Sequence, residues 1–311
     1  MILDFHTHVG DIFPAYRGIQ LNRPAPPPPY LMLTSPSLED PDRIFYRQPL
    51  PMRSWRFLIH ALRTLRRRKQ TYQGMVIPNL LADMRRHAIT RSVVLPIEYA
   101  DGIVRSAPLI EACRQTPSLI PFCSVHPTDP DHVQKMHTYL QMGAKGLKLH
   151  PNFQRIRLND NALFPMYGAY AEYQRPLIVH AGLTGWEGRF RSSGTFSSLD
   201  TLEAVPQHFP ALPLVVAHAG IAQYQEAITL AQHYDNVYLE LSGQPAQHIR
   251  QAIMALGAER LLFGTDWPFW SQTHALRAVR QAVQGDQIAE RRILYQNAER
   301  LLRLERTPEI P

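Results

Sequence analysis

Short runs of apolar residues recur along the chain, and most of them end next to a polar or ionisable residue. Eight such runs predict β-strands, and the segments between them carry the three-to-four-residue apolar spacing of amphipathic helices. Continuous apolar runs of this length are typical of parallel strands that are buried on both faces. The eight predicted strands are 2–5, 92–96, 119–125, 146–149, 177–179, 214–217, 237–241 and 261–264.

The alternation of strands and helices predicts an α/β fold, and eight strand–helix units predict a (β/α)8 TIM barrel in one domain of residues 1–311. The alternative is an open, doubly wound sheet. The barrel is favoured because chemically active residues follow many different strands, and only a barrel gathers all strand ends into one ring. Helices are predicted at 77–87, 108–115, 131–142, 161–174, 221–233, 246–256 and 287–304, with one more that ends at about 209 and one between the last strand and 287.

A long insertion, about residues 11–75, interrupts the alternation after the first strand. Its proline-rich part, 24–29, excludes a helix or a central strand, whereas 55–62 has a composition compatible with a helix. A connection of this length inside a compact domain is usually a lid or a binding loop. We expect it to cover a site or to contact a partner subunit, so a homodimer is one expectation.

Charge and composition narrow the class of protein. The net charge of +7 suits an anionic partner, but the basic cluster at 63–69 lacks an aromatic stacking platform, so we expect no nucleic-acid partner. No apolar run approaches the ~20 residues of a membrane span, and no secretory signal precedes the first strand. Two cysteines do not suggest a disulfide framework. We therefore expect a cytoplasmic protein with no membrane partner.

Ionisable residues at the strand ends supply the candidate chemistry. His6 and His8 lie two positions apart where the first strand ends, so their side chains point the same way. Imidazole and carboxylate groups suit zinc, and also manganese, iron or nickel. The other strand ends add His126, Lys148, His150, His180, His218 and Asp266.

Three histidines and one aspartate around an ion leave a coordination position for water, as a catalytic site requires. The ion lowers the pKa of that water toward neutrality. Asp266 is placed to accept its proton, and His218 is suited to polarise the substrate or to shuttle a proton.

Four motifs resemble those of the metal-dependent amidohydrolase superfamily: DFHTH, VHAG, AHAG and GTDWP, on strands one, five, six and eight. Residues 297–302 resemble the C-terminal helix of the amidohydrolase-related branch that includes aminocarboxymuconate-semialdehyde decarboxylase. The resemblance runs from residue 1 to about 304, apart from the insertion. It implies a catalytic role for His218 and one divalent ion, zinc before the other metals, held by His6, His8, His180 and Asp266.

Lys148 leaves a second arrangement open. Residues 146–151 also resemble strand four of dihydroorotase-like members, in which the matching lysine is carboxylated and bridges two ions, and the histidine matching His218 becomes a ligand. In the other reading, Lys148 pairs with Asp266 or with the substrate. We expect one ion rather than two.

Arginine and aromatic residues after the strands predict the substrate contacts. Arg155 and Arg157 follow strand four, Arg189 and Arg191 follow strand five, and guanidinium groups suit a carboxylate. We therefore expect a small-molecule substrate that bears a carboxylate. Trp267, with Trp186, Phe269 and Trp270, would form an apolar wall of the pocket.

Four functions fit these residues to different degrees. The first is metal-dependent hydrolysis of an amide, lactone or related carbonyl compound; the second is non-oxidative decarboxylation at the same site. A metal-dependent deoxyribonuclease on a similar barrel typically carries a glutamate on strand four, where this chain has Lys148 and His150. A metal-binding protein without catalysis is disfavoured by the intact set of candidate ligands.

Overall fold

Parallel strands and helices alternate along the chain in the computed structural model, which describes residues 1–13, 17–30, 69–182 and 196–304. They confirm the predicted (β/α)8 barrel. The strands are β1 (Leu3–Thr7), β2 (Arg91–Val94), β3 (Leu119–Pro121), β4 (Cys123–Ser124), β5 (Leu147–Leu149), β6 (Leu177–His180), β7 (Leu214–Ala217), β8 (Val237–Glu240) and β9 (Leu261–Leu262).

The strands are hydrogen-bonded in chain order, β1-β2-β3 and β4 to β9, and every pair is parallel. Nine strands fill eight barrel positions because the third predicted strand is divided at Phe122. The N–H of Phe122 donates to Val94 of β2, whereas the N–H of Cys123 donates to Gly146, just before β5.

The barrel closes between the last strand and the first. The N–H of Phe5 donates to the carbonyl oxygen of Phe263 at 2.8 Å, and Thr7 forms a parallel bridge with Trp267. The last strand is shorter than predicted because the N–H of Phe263 donates to Ile293, near the C-terminal end, and not to a neighbouring strand.

Helices follow the strands at nearly the predicted positions. They are α1 (Ile77–Arg86), α2 (Ser106–Arg114), α3 (His132–Met142), α4 (Pro151–Gln154), α5 (Phe164–Ala171), α6 (Ala204–His208), α7 (Tyr224–His233), α8 (Ala246–Leu256), α9 (Gln272–Val283), α10 (Gln287–Arg291) and α11 (Asn297–Leu301). A π-helical turn, Arg292–Gln296, joins the last two.

One predicted helix, 161–174, is two elements in the structure. Asp160 accepts a hydrogen bond from the N–H of Ala162, as expected of an N-cap, but it caps a 3-10 turn, Asn161–Leu163, that precedes α5. Pro165 stands in the first turn of α5. Proline has no N–H, so the regular ladder of i to i−4 bonds begins only after it.

All nine strands contribute to one hydrophobic core inside the barrel and under the helices. Phe5 and Phe122 meet edge to face in it, with ring centroids 5.8 Å apart. Glycine at position 146 makes this possible, because a Cβ there would lie 2.2 Å from the ring of Phe122. Charged groups in this core therefore stand out, and they gather at the carboxyl ends of the strands.

Two of the described parts of the insertion, 17–30 and 69–75, lie beside the start of α1. The N–H of Ile77 donates to Leu21, and the hydroxyl of Thr71 donates to Pro29. Residues 31–68, most of the predicted lid and its candidate helix, lie outside the described residues. None of the helices described is long and apolar enough to cross a membrane. The single domain, the homodimer and the cytoplasmic location stay predictions.

Candidate active site

Three of the predicted metal ligands meet where β1 and β9 end. The Nε2 atoms of His6 and His8 are 3.1 Å apart, and Oδ1 of Asp266 lies 3.4 Å from the first and 3.3 Å from the second. All three residues are buried. Because the first and last strands are neighbours in the barrel, residues 260 positions apart in sequence (266 − 6) lie together.

The outer hydrogen bonds of the two imidazoles turn their free nitrogens inward. Nδ1 of His8 lies 2.7 Å from the carbonyl oxygen of Leu95, which can only accept, so this nitrogen carries the hydrogen. Nδ1 of His6 lies 2.7 Å from a carboxylate oxygen of Glu240. Two imidazole lone pairs and an aspartate oxygen therefore face one another at 3.1–3.4 Å without a hydrogen between them. A divalent cation relieves this repulsion, and the donor set suits it.

Glu240 is a site residue that the sequence analysis missed. It ends β8, is fully buried, and with His6 and His218 forms a second group whose ligand atoms lie within 4.8 Å of one another. The signal was present in the sequence: a lone carboxylate in the apolar run VYLEL, at the same kind of strand end as the histidines.

His218 is held in a left-handed backbone conformation with φ of 56°, which costs about 1–2 kcal/mol for a residue with a Cβ. Its N–H donates to Glu240 at 3.1 Å, and its carbonyl oxygen accepts from the Gln244 side chain at 2.6 Å. Nδ1 lies 2.7 Å from the hydroxyl oxygen of Ser242, which leaves Nε2 facing the site.

His180, the remaining predicted ligand, is connected to the group of His6, His8 and Asp266 through the ring of His218. Its Nδ1 lies 3.1 Å from Nε2 of His218. Its ring stacks on His150 with a centroid distance of 4.0 Å, and His150 stacks in turn on Phe153, also at 4.0 Å. Phe153 is 39% exposed, so this stack runs from the site to the surface. A metal contact of His180 stays a prediction.

The two His-Ala-Gly motifs pack directly against each other after β6 and β7. A Cβ on Gly182 would lie 1.8 Å from the carbonyl oxygen of Gly220. Gly182 also has a φ of 96°, a conformation in which a side chain is strained. This contact fixes the spacing between the strand ends that carry His180 and His218.

Lys148 lies on β5 with no exposed surface, and its Nζ has no hydrogen-bond partner among the described residues. Burial lowers the pKa of its ammonium group to about 8, although Asp266 and Glu240 oppose this shift. Burying an amine without a hydrogen-bond partner is costly, so an acceptor group that binds beside Lys148 would be favoured. The carboxylated form stays a prediction.

Burial also favours the neutral form of four imidazoles. It lowers the pKa of His6, His150, His180 and His218 well below the ordinary value, and neighbouring Lys148 or histidines lower it further, although Asp266 and Glu240 oppose the shift of His218. Neutral imidazole is the form that binds a metal ion.

The predicted substrate contacts are more scattered. Arg155 and Arg157 are exposed after β5, and the guanidinium carbon of Arg157 lies 5.7 Å from the Phe196 ring centroid. Trp267 has no exposed surface, and its indole N–H donates to Asp83 of α1. Substrate contacts of Arg155 and Trp267 stay predictions; Arg189, Arg191 and Trp186 lie outside the described residues.

A cavity of about 270 Å³ opens at the ends of β2 and β4. Glu98, His126 and Tyr139 are among its lining residues, and none of the metal-ligand group is. His126, which the sequence placed at a strand end without a role, therefore faces this cavity and not the three-residue group.

The family model described as Amidohydrolase matches residues 4–304. The chain belongs to this family. No curated protein matches the sequence.

Solved structures with the same fold include one probable hydrolase and several decarboxylases, each below 25% identity to this chain. An uncharacterised TIM-barrel protein from Bordetella bronchiseptica is 21% identical over 97% of this chain and 98% of its own, with a TM-score of 0.68. A protein assigned as a 2-pyrone-4,6-dicarboxylic acid hydrolase from Acinetobacter baumannii is 15% identical over 97% and 98%, TM-score 0.60. The 5-carboxyvanillate decarboxylase of Novosphingobium aromaticivorans, solved with manganese, is 19% identical over 72% and 79%, TM-score 0.59.

Proposed function

We propose that this protein is a metal-dependent hydrolase of a small carboxylate-bearing carbonyl compound, such as an amide or a lactone. The observation that carries the proposal is the group of three inward-facing acceptors, His6 Nε2, His8 Nε2 and Asp266 Oδ1, within 3.4 Å of one another. Family membership supports an enzyme, and the hydrolase-assigned structure shares nearly the full length of the chain.

We propose one divalent ion, zinc or manganese, held by His6, His8 and Asp266 with His180 as a fourth ligand. Bound there, the ion would supply Lewis acidity to a carbonyl oxygen and an acidified water. A second set of possible metal ligands, formed by Glu240, His6 and His218, makes a two-ion site the alternative. The number of ions per chain separates the two.

Side chains of the protein carry out the proton transfers and hold the substrate. Asp266 accepts the proton of the attacking water, because its Oδ1 faces the same point as the two imidazoles. Asp266 then relays that proton to the leaving group, and the neutral Nε2 of His218 accepts it on the way. Lys148 supplies the buried donor that meets the carboxylate or the developing oxyanion of the substrate. Arg155, Arg189 and Trp267 complete the substrate contacts.

Decarboxylation is the second candidate, favoured by a specific observation. The unpartnered Nζ of Lys148 is suited to hold a substrate carboxylate beside the ion, and a neighbour that acts on a carboxylated aromatic, 5-carboxyvanillate, binds manganese. In this reaction Asp266 would deliver a proton to the substrate carbon.

One assay distinguishes these reactions. Protein stripped of metal and reloaded with zinc or manganese is incubated in H2(18)O with pyrone dicarboxylates, aryl amides and hydroxybenzoates. Hydrolysis places the heavy oxygen in the product, and decarboxylation releases carbon dioxide and shortens the product by one carbon. Loss of both activities on metal removal, with recovery on reloading, is expected. Full turnover without metal would contradict the proposal.

A further inference from the structure

The carboxylate of Glu240 is surrounded by hydrogen donors. The N–H of Ser242 donates to Oε1 at 2.6 Å, and the N–H of His218 donates to Oε2 at 3.1 Å. The Ser242 hydroxyl lies 2.9 Å, and Nδ1 of His6 2.7 Å, from the same Oε2. Four donors from three residues thus converge on one side chain that has no exposed surface.

We propose that Glu240 is a positioning residue that decides which ring nitrogen carries the hydrogen in His6, His218 and His180. It thereby keeps the lone pair of His6 on Nε2, toward His8 and Asp266, and makes Nε2 of His218 the acceptor for His180. The inference rests on the proposed function for its purpose, although the hydrogen-bond network itself does not depend on any bound ion.

The first branch of the network reaches His6 directly. A carboxylate oxygen has no hydrogen to give, so Nδ1 of His6 must donate, and its Nε2 keeps the lone pair. That Nε2 is the atom that lies 3.1 Å from His8 and 3.4 Å from Asp266. A carboxylate behind a metal-binding histidine both orients the ring and increases its basicity.

The second branch passes through Ser242. Because the serine hydroxyl donates to Glu240, its oxygen accepts from Nδ1 of His218, and Nε2 of His218 is left as an acceptor. That Nε2 lies 3.1 Å from Nδ1 of His180, which must then donate. The free nitrogen of His180 is consequently Nε2. One carboxylate thus orders three histidines at the ends of three strands.

The backbone around Glu240 is built to hold it in this place. Gly264 leaves the necessary space, because a Cβ there would lie 2.1 Å from Oε1. The same carboxylate binds the N–H of His218, whose backbone is in the left-handed region. Glutamine does not replace it well: one of its two terminal atoms is an NH2 group, which would face the N–H of Ser242 or three other donors.

The test compares Glu240→Gln and Ser242→Ala with Glu226→Gln, a control on the exposed face of α7. Histidine nitrogen shifts are recorded by 15N NMR on metal-free protein, assigned through single histidine substitutions. We expect Nδ1–H in His6, His218 and His180 of the wild type. Ser242→Ala should disturb His218 and His180 but leave His6 unchanged, whereas Glu240→Gln should disturb all three; the control should match the wild type.

Metal affinity gives the second measurement, by competition with a chromophoric chelator. Glu240→Gln should weaken binding about 10- to 100-fold, the usual effect of losing a carboxylate behind a ligand, with the number of ions per chain unchanged. A fall from two ions to one would make Glu240 a ligand and overturn the inference. So would unchanged histidine shifts together with unchanged affinity.

Folding and function are kept apart in this design. If Glu240→Gln does not fold, Ser242→Ala decides: undisturbed shifts of His218 and His180 overturn the inference. A wild type that shows the expected shifts but neither binds metal nor turns over substrate supports the network and contradicts the proposed function.

Discussion

Two of the irregular places in the described part of the barrel differ in the residues that fill them. At Phe122, where β3 passes into β4, the space is filled by apolar packing: the ring is fully buried, meets Phe5 edge to face and occupies the volume left open by Gly146. At the seam between β9 and β1, the contact is polar. Asp4, also fully buried, accepts from the N–H of Thr265 at 2.9 Å and from its hydroxyl at 2.6 Å.

The polar seam is the one that carries chemistry. Asp4 also accepts from the N–H of His6, and Thr265 immediately precedes Asp266. One buried carboxyl group therefore connects the backbones of two metal-ligand candidates from opposite ends of the chain. The apolar irregularity supports only the fold, so changes at the two places should have different consequences.

The largest expected difference between the two places is in catalytic turnover. Asp266→Asn removes the proton acceptor but keeps the shape of the side chain, so turnover should fall by about 10²–10⁴-fold. Asp235→Asn, on a fully exposed side chain, should leave turnover unchanged. Steady-state kinetics on metal-loaded protein check both. Wild-type turnover in Asp266→Asn would remove Asp266 from the mechanism.

Stability should respond most at the apolar place. Gly146→Ala drives a methyl group to 2.2 Å from the Phe122 ring, so the free energy of unfolding should fall by about 1–3 kcal/mol or more, with metal affinity of the folded protein unchanged. Gly168→Ala is the matched control. Its Cβ would lie 3.7 Å from the Phe209 ring, an ordinary van der Waals distance. This substitution in α5 should therefore raise the free energy of unfolding by about 0.5–1 kcal/mol. Chemical denaturation measures both, and equal effects would contradict the close packing.

A change at the polar seam should lower stability and metal affinity together. Thr265→Val removes the hydroxyl that donates to Asp4, and an unsatisfied buried acceptor costs about 1–3 kcal/mol. Because the next residue is Asp266, metal binding should weaken as well. Thr229→Val, on the exposed face of α7, should stay within about 0.5 kcal/mol of the wild type. A loss of stability with unchanged affinity would separate the seam from the site.

The last expected effect is a pH dependence that comes from Asp4. Burial raises its pKa from 3.8 to about 8, although the bonds from Thr265 oppose the shift. The folded state therefore binds a proton that the unfolded state has lost between these values, so stability is full below about pH 4 and falls as pH rises toward 8. The slope for one proton is at most about 1.4 kcal/mol per pH unit.

Asp4→Asn should remove this component, because the amide replaces the protonated carboxyl group at the same position. Denaturant unfolding of metal-free protein from pH 5 to 9 gives the comparison. Parallel curves for the variant and the wild type would show that Asp4 does not titrate in that range.

The sequence predicted most of the fold because its evidence is local. Apolar runs locate buried strands, and the helix predicted at 131–142 ends where expected, at Gly143 with a φ of 118°. The pairing of His6 and His8 followed from the two-residue period of a strand. Pro165 is local evidence too, and it explains why the helix predicted from residue 161 starts late.

Contacts between distant residues were beyond such evidence. Glu240 looked like one polar residue in an apolar strand, because its partners His6 and His218 lie on other strands. Trp267 directly follows Asp266 in the sequence, but the hydrogen-bond partner of its indole N–H is Asp83, 184 residues away. Side-chain direction after a strand depends on such remote partners.

The contact between Gly182 and Gly220 gives the repeated His-Ala-Gly signature a second meaning. In a library with every substitution at every position, both glycines should tolerate replacement as poorly as the histidines two residues before them, although neither contributes a reacting atom. Such a map alone would suggest that these glycines take part in the reaction. Their role is steric, because they let the backbones that follow β6 and β7 come into direct contact. Part of what makes the signature recognisable is therefore a packing requirement.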